Sequence, residues 1–183
     1  MRPAFTAVIV LLTGVVCGGK TGRQKPAAAA TVAAFPAVAC STLTDAEVTQ
    51  FAKLLPTVSA ALKAGHWSPT TPPPGGGPVN ALATLVEGMY VPGVGESLKA
   101  AGSDWGVFRA TLYKVLAASA ALNVQVMGPE RAEQLKQDTT QTGKSRFESY
   151  QAIKGACAAV PAANIEVVKS HQQDIQALGT LGR

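Results

Sequence analysis

The sequence predicts an all-α protein, with a single irregular bundle of about four to six helices in residues 40–183. Alanine supplies much of the 47% apolar content, whereas aromatic residues make up only 5% of the chain. Alanine has the highest helix propensity, and a β-sandwich would need valine, isoleucine, threonine and tyrosine at alternating positions. Apolar residues also recur at helical spacing between proline and glycine residues. The length of this region suits one domain with a sizeable core.

Residues 1–16 have the pattern of a secretory signal peptide. Arg2 supplies the N-terminal basic charge, and the apolar run of residues 4–16 follows it. This run is shorter than the roughly 20 residues that a helix needs to cross the hydrocarbon core of a bilayer. Its length fits the apolar region of a signal that is removed during export. We therefore expect the chain to leave the cytoplasm.

Cys17 ends the apolar run, with residues 13–16 (Thr-Gly-Val-Val) before it and two glycines after it. Residues 1–25 thereby resemble the precursors of bacterial lipoproteins, in which the cysteine after the signal is lipidated and becomes the new N-terminus. The resemblance implies a lipid on Cys17, membrane attachment through it, and residence in the cell envelope facing the periplasm or the exterior. Residues 17–39 would then form a flexible spacer. The alternatives are ordinary cleavage, which would release a soluble secreted domain, and an N-terminal segment that is not cleaved or whose start is misread.

Residues 14–21 also match the phosphate-binding loop pattern GxxxxGK[ST], which ends at Lys20 and Thr21. Such a loop holds phosphates only where a helix begins at the lysine. Residues 22–26 are a poor helix start, and no later apolar strand ends in the aspartate that would hold magnesium. We therefore expect no nucleotide ligand.

The net charge of +5 is confined largely to the N-terminal segment. Four basic residues precede residue 40, so residues 40–183 carry twelve basic and eleven acidic residues. A protein that binds nucleic acid would concentrate basic residues on one face. We therefore expect no nucleic-acid partner.

The first helix is predicted to begin at Thr44 and to end at Gly65. Thr44 and Glu47 have the spacing of a capping box. Pro56 removes a backbone hydrogen bond in mid-helix, so we expect a kink or a break near Leu55. The predicted buried face consists of Val48, Phe51, Leu54, Leu55, Val58 and Leu62.

Residues 68–78 are rich in proline and glycine and are predicted to form a linker. We expect Trp67, at its edge beside His66, to pack on the nearest helix, and contact with a partner is the alternative. A short helix is predicted over residues 79–90, and residues 96–101 add one or two turns. The inward residues of the short helix are expected to be Leu82, Leu85, Val86 and Met89.

The longest helix is predicted over residues 103–126, with a cap at Asp104 and a stop at residues 128–129 (Gly-Pro). It is apolar on most sides, which indicates the central helix of the bundle. We expect Trp105 and Phe108 to pack in the core, and a ligand-binding aromatic pair is the alternative. The main apolar stripe is Trp105, Phe108, Leu112, Val115, Leu116, Leu122 and Val126.

Two further helices are predicted to begin at Pro129 and Pro161. Residues 137–143 are polar and are expected to form exposed helix or a loop. The apolar pattern then resumes at Phe147, Tyr150, Ile153, Cys157 and Val160. The last helix is expected to bury Ile165, Val168, Ile175 and Leu178.

The chain has three cysteines, and Cys40 and Cys157 remain if Cys17 is lipidated or removed. In an oxidising compartment these two would form a disulfide. Closing a loop of more than about 100 residues would stabilise the fold by roughly 4–5 kcal/mol in the chain-entropy model. Two buried free thiols are the alternative. Two cysteines and two distant histidines show no metal-ligand spacing, so we expect no metal and no cofactor.

His171 precedes Asp174 by one helical turn, a spacing that can orient an imidazole. We interpret this as a half-exposed surface pair. The sequence has neither a GxSxG turn nor an HExxH motif. We therefore expect a non-catalytic protein, and a hydrolase-type enzyme that uses His66 or His171 is a lower alternative.

Two function classes remain. The first is an exported, lipid-anchored, non-catalytic helical envelope protein that binds another protein, or supports an assembly, through an exposed groove. The second is a small-molecule or lipid-binding helical module. A pocket of about 300 Å³ or more between helices, lined by leucines, Met89 and aromatic residues, would favour the second class.

Overall fold

A computed structural model describes residues 34–69 and 77–181 of the chain. All regular secondary structure in these residues is helical, which confirms the predicted all-α class. The six α-helices are α1 Asp45–Ala64, α2 Gly77–Gly88, α3 Pro92–Ala100, α4 Trp105–Gln137, α5 Gln141–Cys157 and α6 Ala162–Ser170. Two short 3₁₀ helices flank them, at Ala37–Cys40 and Gln176–Thr180.

The N-terminal predictions lie outside the described residues. These are the signal peptide of residues 1–16, the lipidated Cys17, the pattern at residues 14–21 and the spacer up to residue 33. Residues 70–76, which form most of the predicted linker, also lie outside them.

Helix α1 begins with the predicted capping box. The Glu47 N–H donates to Thr44 Oγ1 at 3.2 Å, and the Thr44 N–H donates to Glu47 Oε2 at 2.8 Å. All six residues of its predicted apolar face are buried. The helix continues through Pro56 to Ala64, so the predicted break near Leu55 is absent. Burial of the turns on both sides of Pro56 outweighs the cost of the proline, because packing supplies most helix stability in proteins.

Helix α4 is the centre of the bundle, as its composition predicted. All the other α-helices and the first 3₁₀ helix contact it. Gly128 has φ 67° and ψ 170° and interrupts the helical geometry, so a second segment begins at Pro129, as predicted. Val126 was predicted to face inward but is 74% exposed, because the bundle does not cover this side of α4 so close to Gly128.

The short helices differ from the prediction at their ends. Helix α2 begins at Gly77, inside the predicted linker. Pro92 starts α3, four residues before the turns predicted at residues 96–101, because the first turn of a helix does not need the N–H that proline lacks. Leu82, Val86 and Met89 are buried as predicted, whereas Leu85 is half-buried.

The last helix is shorter than predicted. Helix α6 ends at Ser170, His171 is its C-terminal cap, and a turn leads to the second 3₁₀ helix. Ile165, Val168 and Ile175 are nevertheless buried.

The folded domain begins earlier than residue 40, because Phe35 and Ala39 belong to the core. Asn164, at the start of α6, helps to fix the chain that follows these residues. The Leu43 N–H donates to Asn164 Oδ1 at 2.8 Å, and Asn164 Nδ2 donates to the Ser41 carbonyl at 2.8 Å. The last residues that we assigned to the spacer are therefore part of the domain.

Candidate functional site

A groove of about 420 Å³ lies between α1 and the first turns of α4, and we call it the α1–α4 groove. Buried side chains of Phe51, Leu54 and Phe108 form its floor. Val107 lies at its edge and is 57% exposed. The groove is partly open to solvent. The remaining lining residues are Ala46, Glu47, Gln50, Ala110 and Thr111.

Phe51 and Phe108 in the floor of this groove begin a row of four aromatic rings. The row continues through Trp105 to Tyr90, which lies between α2 and α3. Ring centroids are separated by 4.9 Å for Phe51 and Phe108, by 6.0 Å for Phe108 and Trp105, and by 5.3 Å for Trp105 and Tyr90. These separations suit attractive aromatic contacts. Phe108 is buried and Trp105 is half-buried against the core, so this pair contributes to packing as predicted.

An ion pair crosses from α1 to α4 at one end of the groove. Lys114 Nζ donates to Glu47 Oε1 at 2.6 Å, and the Lys114 side chain is only 11% exposed. Burial raises the pKa of the Glu47 carboxyl, but hydrogen bonds from Lys114 and Thr44 lower it by more, so the net shift is downward. Glu47 is the charged residue of the groove lining, and Lys114 compensates it. The groove therefore presents apolar surface without uncompensated charge.

A second groove of about 300 Å³ lies between α5 and the segment of α4 after Gly128. Lys136 and Glu133 pair across one helical turn there at 3.5 Å, and both side chains are exposed. This second groove has a more polar lining than the α1–α4 groove. Its lining residues are Pro129, Ala132, Glu133, Lys136, Phe147, Tyr150, Gln151 and Lys154.

The two histidines lie at opposite ends of α1 and do not form one site. His66 is exposed just beyond the C-terminal end of α1, with φ 50°. His171 contacts Asp45, the first residue of α1, at 3.1 Å, and Asp174 at 2.8 Å. A helix of 20 residues is about 30 Å long, so no substrate atom could contact both imidazoles. Among the described residues, no three His, Cys, Asp or Glu side chains are placed to hold a metal ion.

The predicted disulfide between Cys40 and Cys157 is not formed in the structure. Both residues are free cysteines, and their sulfur atoms are not at bonding distance. Both are half-buried and pack against the core. Burial, together with the smaller effect of the neighbouring Cys40, raises the pKa of the Cys157 thiol to about 11. The Cys157 thiol is therefore protonated at neutral pH.

Three polar side chains that the sequence analysis did not single out connect distant elements. They are Lys114, Asn164 and Glu87, and the Glu87 carboxylate accepts hydrogen bonds from Arg109 and from the buried Tyr113. Lys114 and Asn164 each interrupt an apolar stretch, which is a weak sequence signal, whereas Glu87 has no such signal. Trp67 packs as predicted on the nearest helix, and its Nε1 donates to the Gly88 carbonyl at 2.7 Å.

Comparisons of the chain with protein-family models, with curated proteins and with solved structures found no match. Within residues 34–69 and 77–181, no helix combines the length and the apolar character needed to span a bilayer. Of the two grooves described above, the α1–α4 groove is the larger and has the more apolar lining.

Proposed function

We propose that this chain is an exported, lipid-anchored, non-catalytic helical protein of the bacterial cell envelope, and that it binds a partner protein in the α1–α4 groove. The observation that carries the proposal is the character of this groove. Its floor is apolar, it is partly open to solvent, and Lys114 compensates the charge of Glu47. Such a surface suits a large apolar partner better than a charged ligand.

The proposed occupant of the groove is the apolar face of an amphipathic helix of the partner. Contacts of Glu47 with Lys114 and of Phe51 with Phe108 show that α1 and α4 run antiparallel. A groove between two antiparallel helices can receive the side-chain ridge of a third helix. The lining without uncompensated charge favours apolar side chains in that ridge. Val107 extends the apolar surface beyond the floor.

The partner is tested by site-specific photo-crosslinking in envelopes. A photoreactive residue at Gln50, on the exposed edge of the groove, is expected to capture one defined protein through a peptide with helical apolar spacing. The substitution Val107→Lys should abolish this capture, because it places a charge on the apolar surface. Val126→Lys is the matched control, since Val126 is also an exposed valine of α4 but lies away from the groove. Equal capture in both variants, or no capture in the unmodified protein, would contradict the proposal.

The anchor is tested separately by metabolic labelling with a radioactive fatty acid. The pattern of residues 1–25 supports lipidation at Cys17, so the label should be lost in Cys17→Ala. It should be retained in Cys157→Ala, where a half-buried cysteine of the domain is changed instead. Labelling of Cys17→Ala at the level of the unmodified protein would refute the anchor. The absence of label from both Cys17→Ala and the unmodified protein would refute it as well.

A small-molecule or lipid-binding module is the second candidate, because the groove volume lies in the range of roughly 300–1,000 Å³ that is typical of ligand sites. Leu54 and two phenylalanines line the groove, whereas Met89 is buried elsewhere. Small-ligand sites usually enclose about 70–90% of the ligand surface, which an open groove does not favour. Native mass spectrometry of protein purified from envelopes distinguishes the two candidates. A retained lipid or metabolite that Val107→Lys removes would support the second one.

A further inference from the structure

A cluster of three ionisable groups joins the start of α1 to the chain that follows α6. His171 Nδ1 lies 2.8 Å from Asp174 Oδ2, and His171 Nε2 lies 3.1 Å from Asp45 Oδ1. The His171 side chain is only 18% exposed, whereas both carboxylates are largely exposed. The two aspartates are 129 residues apart in sequence, so the imidazole connects the start of α1 to the C-terminal turn.

Only the protonated imidazole can satisfy both carboxylates. An imidazolium carries an N–H on each ring nitrogen, whereas a neutral imidazole has one N–H and one lone pair. Loss of the proton therefore leaves one carboxylate oxygen facing a lone pair at hydrogen-bond distance. We propose that His171 is a pH-sensitive clasp that holds the C-terminal segment, residues 171–181, against α1 when protonated and loosens this segment when neutral.

The helices around the clasp favour the charged form. His171 caps the C-terminal end of α6, where the helix dipole stabilises a cation. The backbone N–H of His171 donates to the Val167 carbonyl at 3.2 Å. Asp45 lies in the first turn of α1, where the dipole stabilises an anion. Glu166 and Lys169, the charged residues of α6, pair with each other at 3.5 Å. The second 3₁₀ helix has no charged residue. Asp174 and Asp45 are therefore the charges that act on the imidazole.

The direction of the pH dependence follows from the same contacts. The hydrogen bond to Asp174, followed by the bond to Asp45, raises the pKa of His171 above 6.5 despite partial burial. A raised pKa in the folded state means that the clasp contributes fully below about pH 6.5, the pKa of an unfolded histidine. The contribution of the clasp to stability is lost as the pH rises through the raised pKa of His171. Loosening would weaken the contacts of Ile175 and Leu178 with the core.

The pKa is tested by NMR titration of His66→Asn, which leaves His171 as the sole histidine of the chain. The pKa of His171 is expected above 6.5, and Asp45→Asn should lower it without unfolding, because Asp45 is largely exposed. A pKa at or below 6.5, or one that Asp45→Asn does not change, would overturn the proposal.

The loosening is tested by hydrogen exchange of residues 172–181, corrected for intrinsic rates. Protection should fall roughly three- to tenfold as the pH rises through the pKa of His171, as expected for loss of one partly exposed charged hydrogen bond. His66→Asn should keep this profile, whereas His171→Gln should show low protection at every pH. If His171→Gln does not fold, Asp45→Asn should move the fall in protection to lower pH. A profile that is independent of pH in the unmodified protein would refute the clasp.

Discussion

Asn164 is a buried polar residue whose amide satisfies two backbone groups of the chain before α1. Replacement by alanine leaves the Leu43 N–H and the Ser41 carbonyl without these partners. The Leu43 N–H is buried and costs about 1–3 kcal/mol when it loses its hydrogen bond, whereas Ser41 is exposed and its carbonyl can bind water instead. Asn164 can hold this segment only in the folded protein, because it lies 121 residues from Leu43 in the sequence.

We predict that Asn164→Ala lowers the free energy of unfolding by about 1–3 kcal/mol, as measured by urea denaturation. Asn80→Ala is the control, because Asn80 is exposed on α2, and it should change stability by less than about 0.5 kcal/mol. Similar losses in the two variants would show that the amide contacts of Asn164 contribute little.

Lys114 is a second residue whose role follows from burial. We predict that Lys114→Met lowers the free energy of unfolding by about 1 kcal/mol, because Glu47 loses its partner while remaining about one-third exposed and screened by water. In Lys136→Met the lost pair is largely exposed, so the change should stay under about 0.5 kcal/mol. Urea denaturation of both variants makes the comparison.

The effect of Lys114→Met should depend on pH. The pKa of Glu47 is lowered in the folded protein. The ion pair therefore stabilises the folded protein at pH values above 4.5, the ordinary pKa of a glutamate. This contribution is lost as the pH falls through the lowered pKa. The stability difference between Lys114→Met and the unmodified protein should therefore narrow in acid, and a constant difference would argue for packing instead.

At the scale of elements, two glycines have opposite roles in their helices. Gly128 adopts φ 67° and ψ 170°, a backbone region that other residues avoid, and an added Cβ would meet no atom within 4 Å. Gly93 lies in the first turn of α3, with equally open space around an added Cβ. Substitution at either position therefore tests backbone conformation without steric overlap.

We predict that Gly128→Ala lowers the free energy of unfolding by about 1–3 kcal/mol, because alanine is strained in that conformation. Gly93→Ala should raise it by up to about 1 kcal/mol, because alanine is the better helix former. Thermal unfolding followed by circular dichroism measures both. A change of the same sign in the two variants would contradict the interpretation of Gly128 as a required break in α4.

At the scale of the whole molecule, the burial of Phe35 and Ala39 places the start of the domain before residue 40. We predict that a chain beginning at Ala34 is more stable than one beginning at Ser41 by at least about 3 kcal/mol, since the shorter chain lacks Phe35 in the core. Chemical denaturation of the two chains measures the difference. Equal stability would restore the boundary that the sequence predicted at residue 40.

Local signals allowed much of the fold to be predicted. The capping box of Thr44 and Glu47 and the stop at Gly128 each depend on residues within one turn, and both are confirmed. Contacts between distant residues left no such signal, and the pair of Asp45 and His171 spans 126 positions. The α1–α4 groove likewise arises from packing of two separate helices. Cys17 as an anchor stays a prediction.

Both ends of the described domain are fastened near the first turn of α1, through Asn164 on one side and His171 on the other. A mechanical pull that entered through the residues before Ala34 would meet Phe35 in the core and then the amide of Asn164. With the lipid anchor that we propose at Cys17, tension from the membrane would be shared with α6 before it reached α1. Under that proposal, this arrangement would oppose unfolding that starts at the N-terminal end of the described residues.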